Sequence, residues 1–162
     1  VNPVRKQQTA FLDWAFWFQW IMVTTVGWVL AGAIFSGIAY FAAGFTIGIL
    51  QWLVLQSRIT RAWRWMIASA GGWVAGALFT FFLTLPVNDF LGSLITGAAT
   101  GIAQWLVLRE DLHWAGWWIP VSIVAWTTGL ALLPGLLSTG ALAGAVTGIA
   151  LVLLLPYPKV EK

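Results

Sequence analysis

Long apolar runs separated by brief polar, proline or glycine punctuation fill this chain from residue 14 to residue 155. A helix needs about 20 apolar residues to cross the roughly 30 Å hydrocarbon core of a bilayer. Runs of that order cover residues 14–35, 37–55, 62–85, 90–108, 114–133 and 139–155, which predicts six spans. The breaks carry turn chemistry: Ser36 and Gly37, then Pro86, Val87, Asn88 and Asp89, then Pro134 and Gly135, with Pro156 and Pro158 closing the last run. Barrel strands would alternate apolar and polar residues in segments of about ten, and no such alternation is visible. The spans are therefore expected to be helices. The first is read as retained, because it is too long and too rich in tryptophan for a secretory leader and no small-residue cleavage region follows it.

Composition sharpens this picture. Of 162 residues, 60% are hydrophobic and 8% charged, at a mean hydropathy of +0.89. So few charges cannot cover the surface of a water-soluble domain. The absence of cysteine removes a disulfide framework. The basic residues all fall on one side of the predicted spans: Arg5 and Lys6, then Arg58, Arg61 and Arg64, then Arg109, then Lys159 and Lys162. By the positive-inside rule both termini face the cytoplasm, which requires an even number of spans. The net charge of +3 then reflects topology, and no basic patch remains to suggest nucleic acid as a partner.

Two patterns recur along the chain. In the odd spans Trp20, Thr24, Gly27 and Trp28 match Trp65, Ser69, Gly72 and Trp73, and then Trp118, Ser122, Ala125 and Trp126. Residues four apart drift by only about 40° around a helix, so the two indoles and the hydroxyl between them share a face. In the even spans Gly44, Gly48, Gln51 and Trp52 match Gly97, Gly101, Gln104 and Trp105, and then Gly144, Gly148, Leu151 and Val152. The third copy has lost its glutamine. Small residues four apart let helix backbones approach closely in lipid. The expected architecture is all-α: one transmembrane domain over residues 1–162, a six-helix bundle of three repeated hairpins (about 14–56, 60–109 and 112–156) with cytoplasmic N and C termini.

The strings GILQWLVLQ at 48–56 and GIAQWLVLR at 101–109, followed by RAWRW or HWAGWW, resemble a motif of uncharacterised small, Trp-rich, polytopic bacterial membrane proteins. The resemblance spans roughly residues 17–155. It implies a multi-pass protein of the bacterial cytoplasmic membrane and carries no activity with it. The three hairpins are also similar in number to those of mitochondrial carriers, but the carriers' proline with acidic and basic partners after each odd helix is absent.

Ionisable groups inside a membrane are the usual pointers to function. Here Asp13, Arg64, Asp89, Arg109, Glu110 and Asp111 lie at span ends. Glu110, Asp111 and His113 could supply an acid/base pair or metal ligands. The structural alternative is preferred, with Asp111 as the N-cap of the fifth helix. No catalytic or metal residue is assigned, the chain is expected not to be an enzyme, and no cofactor is identified.

Tryptophan is the anomaly, with 13 copies against two tyrosines. Ten of them, Trp14, Trp17, Trp20, Trp52, Trp63, Trp65, Trp105, Trp114, Trp117 and Trp118, cluster at the predicted cytoplasmic ends and suggest an interfacial aromatic belt. Trp28, Trp73 and Trp126 lie too deep for that belt. Either each fills the groove above a glycine pair, or the three converge on an apolar chamber. Gln51 and Gln104 must find partners, with Thr24 or Ser69 as candidates, or else they face a ligand such as a lipid headgroup, a quinone-like ring or a tetrapyrrole metal.

Two functions follow. The leading one is a non-enzymatic accessory or scaffolding subunit of a membrane assembly, whose partners are the lipid bilayer and other membrane subunits or further copies of itself. The alternative is an intramembrane binder or transporter of a small lipophilic or aromatic molecule, lined by Trp28, Trp73, Trp126, Gln51 and Gln104, with Thr24, Ser69 and Ser122 beside them.

Overall fold

A computed structural model describes residues 13–82 and 89–158 of the chain. Among them are six helices and no strand: α1 (Trp14–Ile34), α2 (Ala39–Leu55), α3 (Trp63–Phe82), α4 (Asp89–Asp111), α5 (Trp118–Thr127) and α6 (Ser138–Leu154). A 3-10 turn, Ala115–Trp117, leads into α5, and a π-helical turn, Thr128–Leu132, follows it. Four segments, Trp14–Ile34, Trp63–Phe82, Phe90–Asp111 and Ala115–Leu132, are long and apolar enough to cross a membrane. The shorter apolar helices α2 and α6 have 17 residues each, at the lower limit for a span. This architecture is compatible with an integral membrane protein.

Local chemistry explains some helix ends. Asp13 caps α1 by accepting the Phe16 N–H at 3.0 Å, relieving one of the unpaired donors of the first turn. Pro120 is tolerated in α5 because it sits in the first turn, where its missing N–H has no helical partner to lose. The helix ending at Asp111 is longer than the predicted run to residue 108, since charged residues at its tip remain helical while pairing with the α2–α3 loop. The Pro86, Val87 and Asn88 of the predicted break lie outside the described residues, and α4 has already begun at Asp89.

Each helix packs on its neighbours in chain order, and α1 packs on α6, so the six form a closed ring. Small residues set the spacing. A methyl group added at Gly72 would lie 2.7 Å from the Thr100 Cα, at Gly27 2.7 Å from the Ile47 Cα, and at Gly140 2.6 Å from the Thr25 Cα. Such contacts allow backbones to touch where any side chain would force them apart. The loosest junction of the ring is α5–α6.

The interior has two tiers. Trp20, Trp65 and Trp118 pack with Phe16, Leu55, Leu108 and Leu151 in one. Trp73 and Trp126 pack with Ala31, Ala43, Ile47, Ala125 and Ala143 in the other. The outside is apolar as well: Phe18, Met22, Phe45, Ile67, Phe79, Leu106 and Leu153 are all exposed. An apolar exterior this extensive is the inverse of a soluble protein's and suits a lipid surround.

Candidate functional site: the tryptophan and glutamine interior

Gln51 lies on the buried face of α2 and bridges two other helices. Its Nε2 donates to Thr24 Oγ1 on α1 at 2.9 Å, and its Oε1 accepts the Trp65 Nε1–H from α3 at 2.9 Å. Gln104 on α4 makes the corresponding set, donating to Ser69 Oγ on α3 at 2.8 Å and accepting from Trp118 Nε1 on α5 at 2.9 Å. Thr24 in turn donates to its own helix at the Trp20 carbonyl. Each glutamine thus ties one helix before it to one after it, using both ends of its amide. Thr24, Gln51, Ser69 and Gln104 are all buried.

Between α6 and α1 the arrangement differs, and it corrects the expected match of Gly144, Gly148 and Leu151 to the other even helices. Gly140 meets the Thr24 carbonyl as Gly44 meets that of Ser69, and Gly144 meets the Ile21 backbone as Gly48 meets that of Met66. Thr147, not Leu151, therefore takes the glutamine position, and Trp20 Nε1 donates to its Oγ1 at 2.9 Å. Ser122, in the position of Thr24 and Ser69, is buried with no hydrogen-bond partner for its hydroxyl.

The three tryptophans of this tier touch edge to face, Trp20 to Trp65 at 5.8 Å between ring centroids and Trp65 to Trp118 at 5.4 Å. All three are buried, which corrects their assignment to an interfacial belt. They share a helix face with the Thr/Ser hydroxyl four residues on, and that face turns inward. Other members of the predicted belt do lie at the surface: Trp14 is 58% exposed, Trp63 52%, Trp114 54% and Trp117 64%.

The deeper tryptophans also meet, Trp28 to Trp73 at 6.2 Å and Trp73 to Trp126 at 4.6 Å. Tyr40 packs on Trp73 at 5.6 Å and shares a 2.8 Å hydrogen bond with Thr96. Trp73 and Trp126 are buried and Trp28 is half-buried. The indole N–H of Trp73 has no partner, nor do the hydroxyls of Thr100 and Thr127. A cavity of about 320 Å³ lies against Trp28 but is not bordered by Trp73, Trp126, Gln51 or Gln104.

Glycine faces are used within the chain. Gly44 and Gly48 meet Trp73 and Ser69, Gly97 and Gly101 meet Ile123 and Ser122, and Gly144 and Gly148 meet Ile21 and Trp17. None of these pairs is left as open surface for another subunit.

Charged residues gather at one end. Arg58 pairs with Asp13 at 2.8 Å, Arg64 with Glu110, and Arg61 with Glu110 at 3.8 Å. The Asp13 carboxyl is held below its ordinary value by the Phe16 N–H and then by the Arg58 guanidinium. Asp111 accepts from the backbone N–H and the hydroxyl of Thr60. It does not cap the fifth helix as expected: α4 continues through it, and the 3-10 turn begins after Trp114 with no side-chain cap. The His113 N–H reaches the Tyr157 carbonyl at 3.1 Å, bringing the end of α6 to the same place. Among the described residues, no group of three or more His, Asp or Glu side chains could hold a metal ion.

Compared with models of known families, with curated proteins and with solved structures, the chain matches none.

Proposed function

We propose that this protein is a non-enzymatic, multi-pass integral membrane protein that serves as an accessory or scaffolding subunit, docking a partner through its Trp-rich end. In this reading the chain is a triplicated hairpin with six spans in the bacterial cytoplasmic membrane, and both termini face the cytoplasm. The observation that carries it is the contrast between the two sets of tryptophans. The inward ones are consumed by packing and by bonds to Gln51, Gln104 and Thr147. The outward ones, Trp14, Trp63, Trp114 and Trp117, are large, exposed and placed beside the Arg58, Arg61 and Arg64 cluster. Aromatic and arginine side chains together are what protein interfaces favour at their energetic centres. The glutamine amides, by contrast, are buried and each spends a donor and an acceptor on neighbouring helices, and neither borders the cavity, which weighs against the binder or transporter reading built on them.

Native mass spectrometry of the protein taken from its own membranes into nanodiscs tests the proposal. A second subunit in fixed stoichiometry is expected, lost in Trp63→Ala with Trp117→Ala and kept in Phe79→Ala, which removes an exposed ring elsewhere on the bundle. A chain that emerges with no protein partner, identically in all variants, would overturn it.

A further inference from the structure

The cavity beside Trp28 lies at the end of the bundle opposite the charged cluster, between the end of α1, the start of α2 and the α5–α6 connection. Trp28, Ala31, Gly32, Ala39, Leu130 and Leu136 line most of its wall. Its origin is legible in the register of the even helices. Gly140 meets the Thr24 carbonyl as Gly44 meets that of Ser69 and Gly97 that of Ser122. Four residues before these glycines stand Tyr40, Ser93 and Leu136. Tyr40 on α2 covers Trp73 of the next helix. The corresponding residue, Leu136, precedes α6, is exposed and forms part of the cavity wall. The π-helical turn Thr128–Leu132 follows α5 and packs against Thr139 of α6 beside the cavity. Such turns are rare and recur at functional sites.

The Thr139 hydroxyl at the cavity is already used, donating to the Gly129 carbonyl at 2.8 Å and accepting the Gly135 N–H at 3.1 Å. Water needs two to four polar partners to occupy a cavity, and the lining side chains are otherwise apolar apart from the Trp28 indole. The crevice is half-open, and its volume is about twice the roughly 150 Å³ that suffices to take up benzene. Its rim is hydrocarbon-like: Ile34, Ile38, Leu132, Leu133, Leu136 and Leu137 are all exposed, with no charged residue among them.

We infer that this crevice is a lateral binding site for one acyl chain of a bilayer lipid, which inserts between α1 and the α5–α6 connection and lies against Trp28. The inference rests on the membrane reading above but not on the accessory role. Occupancy would make this end of the bundle sensitive to the surrounding lipid.

Gly32 supplies the test, since an added Cβ there meets nothing within 4 Å and points to open space, as it also does at exposed Gly71 on α3. Gly32→Leu should fill the crevice; Gly71→Leu is the control. Each protein is reconstituted in phosphatidylethanolamine nanodiscs and stripped by collisional activation in a native mass spectrometer. Wild type and Gly71→Leu should retain one phospholipid per chain after all others are lost. Gly32→Leu should retain about tenfold less, the effect of roughly two buried methylene groups of lost contact. A photoactivatable diazirine on the acyl chain should label peptides containing Trp28 and Leu136 in wild type, a readout that does not depend on any variant folding. Equal retention in all three proteins, or labelling confined to the outer faces of the helices, would overturn the inference. So would a retained species whose mass is not that of a phospholipid. Alkaline carbonate extraction keeps the two claims apart: release of the chain from membranes would sink the membrane reading itself.

Discussion

The junctions bridged by Gln51 and Gln104 differ from the one at Thr147, which stands at the same place on α6, and the neighbourhoods diverge accordingly. Where glutamine is present, a hydroxyl on one helix and an indole on another are joined through one amide. Where threonine stands, its hydroxyl accepts the indole N–H of Trp20 and donates to its own helix at the Ala143 carbonyl, while Ser122 is left without a partner. The glycine contacts are retained at all three junctions. Close packing therefore does not require the amide; the amide is what satisfies the polar groups that share its buried layer. The shorter threonine serves the indole and abandons one hydroxyl.

That comparison can be broken most severely by removing both amides. Gln51→Leu together with Gln104→Leu should strand the N–H groups of Trp65 and Trp118, each costing about 1–3 kcal/mol if no substitute acceptor is found. The two indoles touch at 5.4 Å, so the losses are expected to couple and not to add strictly. Reversible unfolding in mixed micelles should show a loss larger than that of either single variant, and a double variant as stable as wild type would mean the bridges are incidental.

A milder change separates the hydroxyls. Ser69→Ala removes the acceptor of Gln104 and is expected to cost about 1 kcal/mol, whereas Ser122→Ala removes a hydroxyl with no partner and should be neutral or slightly stabilising. Equal costs in the same unfolding assay would contradict the difference between the junctions. Conversely, Thr147→Gln offers Ser122 an amide donor and keeps an acceptor for Trp20. It should stabilise by roughly 0.5–1 kcal/mol, in line with hydrogen bonds between membrane helices. In its background Ser122→Ala should become destabilising; an effect unchanged from wild type would show that the new amide does not reach Ser122.

The smallest effect lies at the charged end. Because the Asp13 pKa is lowered on folding, its contribution is present above the ordinary carboxylate value of 3.8 and is lost as pH falls through the lower folded value. The pair is well exposed, so solvent screens it. Asp13→Asn should flatten the acid limb of the stability profile without changing stability's slope near neutrality.

Much of this was legible in the residues. Apolar run length gave helices in the right places, and Pro134 with Gly135 marked the end of α5 and its π-helical turn. The need to satisfy a buried amide pointed Gln51 and Gln104 to Thr24 or Ser69, without pairing them. What spacing could not supply was the other half of each bridge, because the acceptor role of the amide depends on which neighbouring helix faces it. Trp20, Trp65 and Trp118 were grouped with surface indoles for the same reason: tryptophan suits both an interface and a core, and its distance from a span end does not choose between them. The pattern they share with Thr24, Ser69 and Ser122 was the available signal. Asp111 illustrates a further limit. Its type and position fit an N-cap, but the Thr60 backbone, distant in sequence, competes for the same oxygens and wins. The crevice beside Trp28 needed three dimensions, since its wall joins α1 and α2 to residues 130–139, which are distant in sequence.

The central claim is that the glutamines hold this bundle together by serving the tryptophans of the next helix. A double-mutant cycle on Gln104→Leu and Trp118→Phe, measured by unfolding of the bilayer-derived protein in mixed micelles, tests it most directly. The account predicts a favourable coupling of about 0.6–1.7 kcal/mol, the range found for hydrogen bonds between membrane helices. Strictly additive effects of the two substitutions would contradict it.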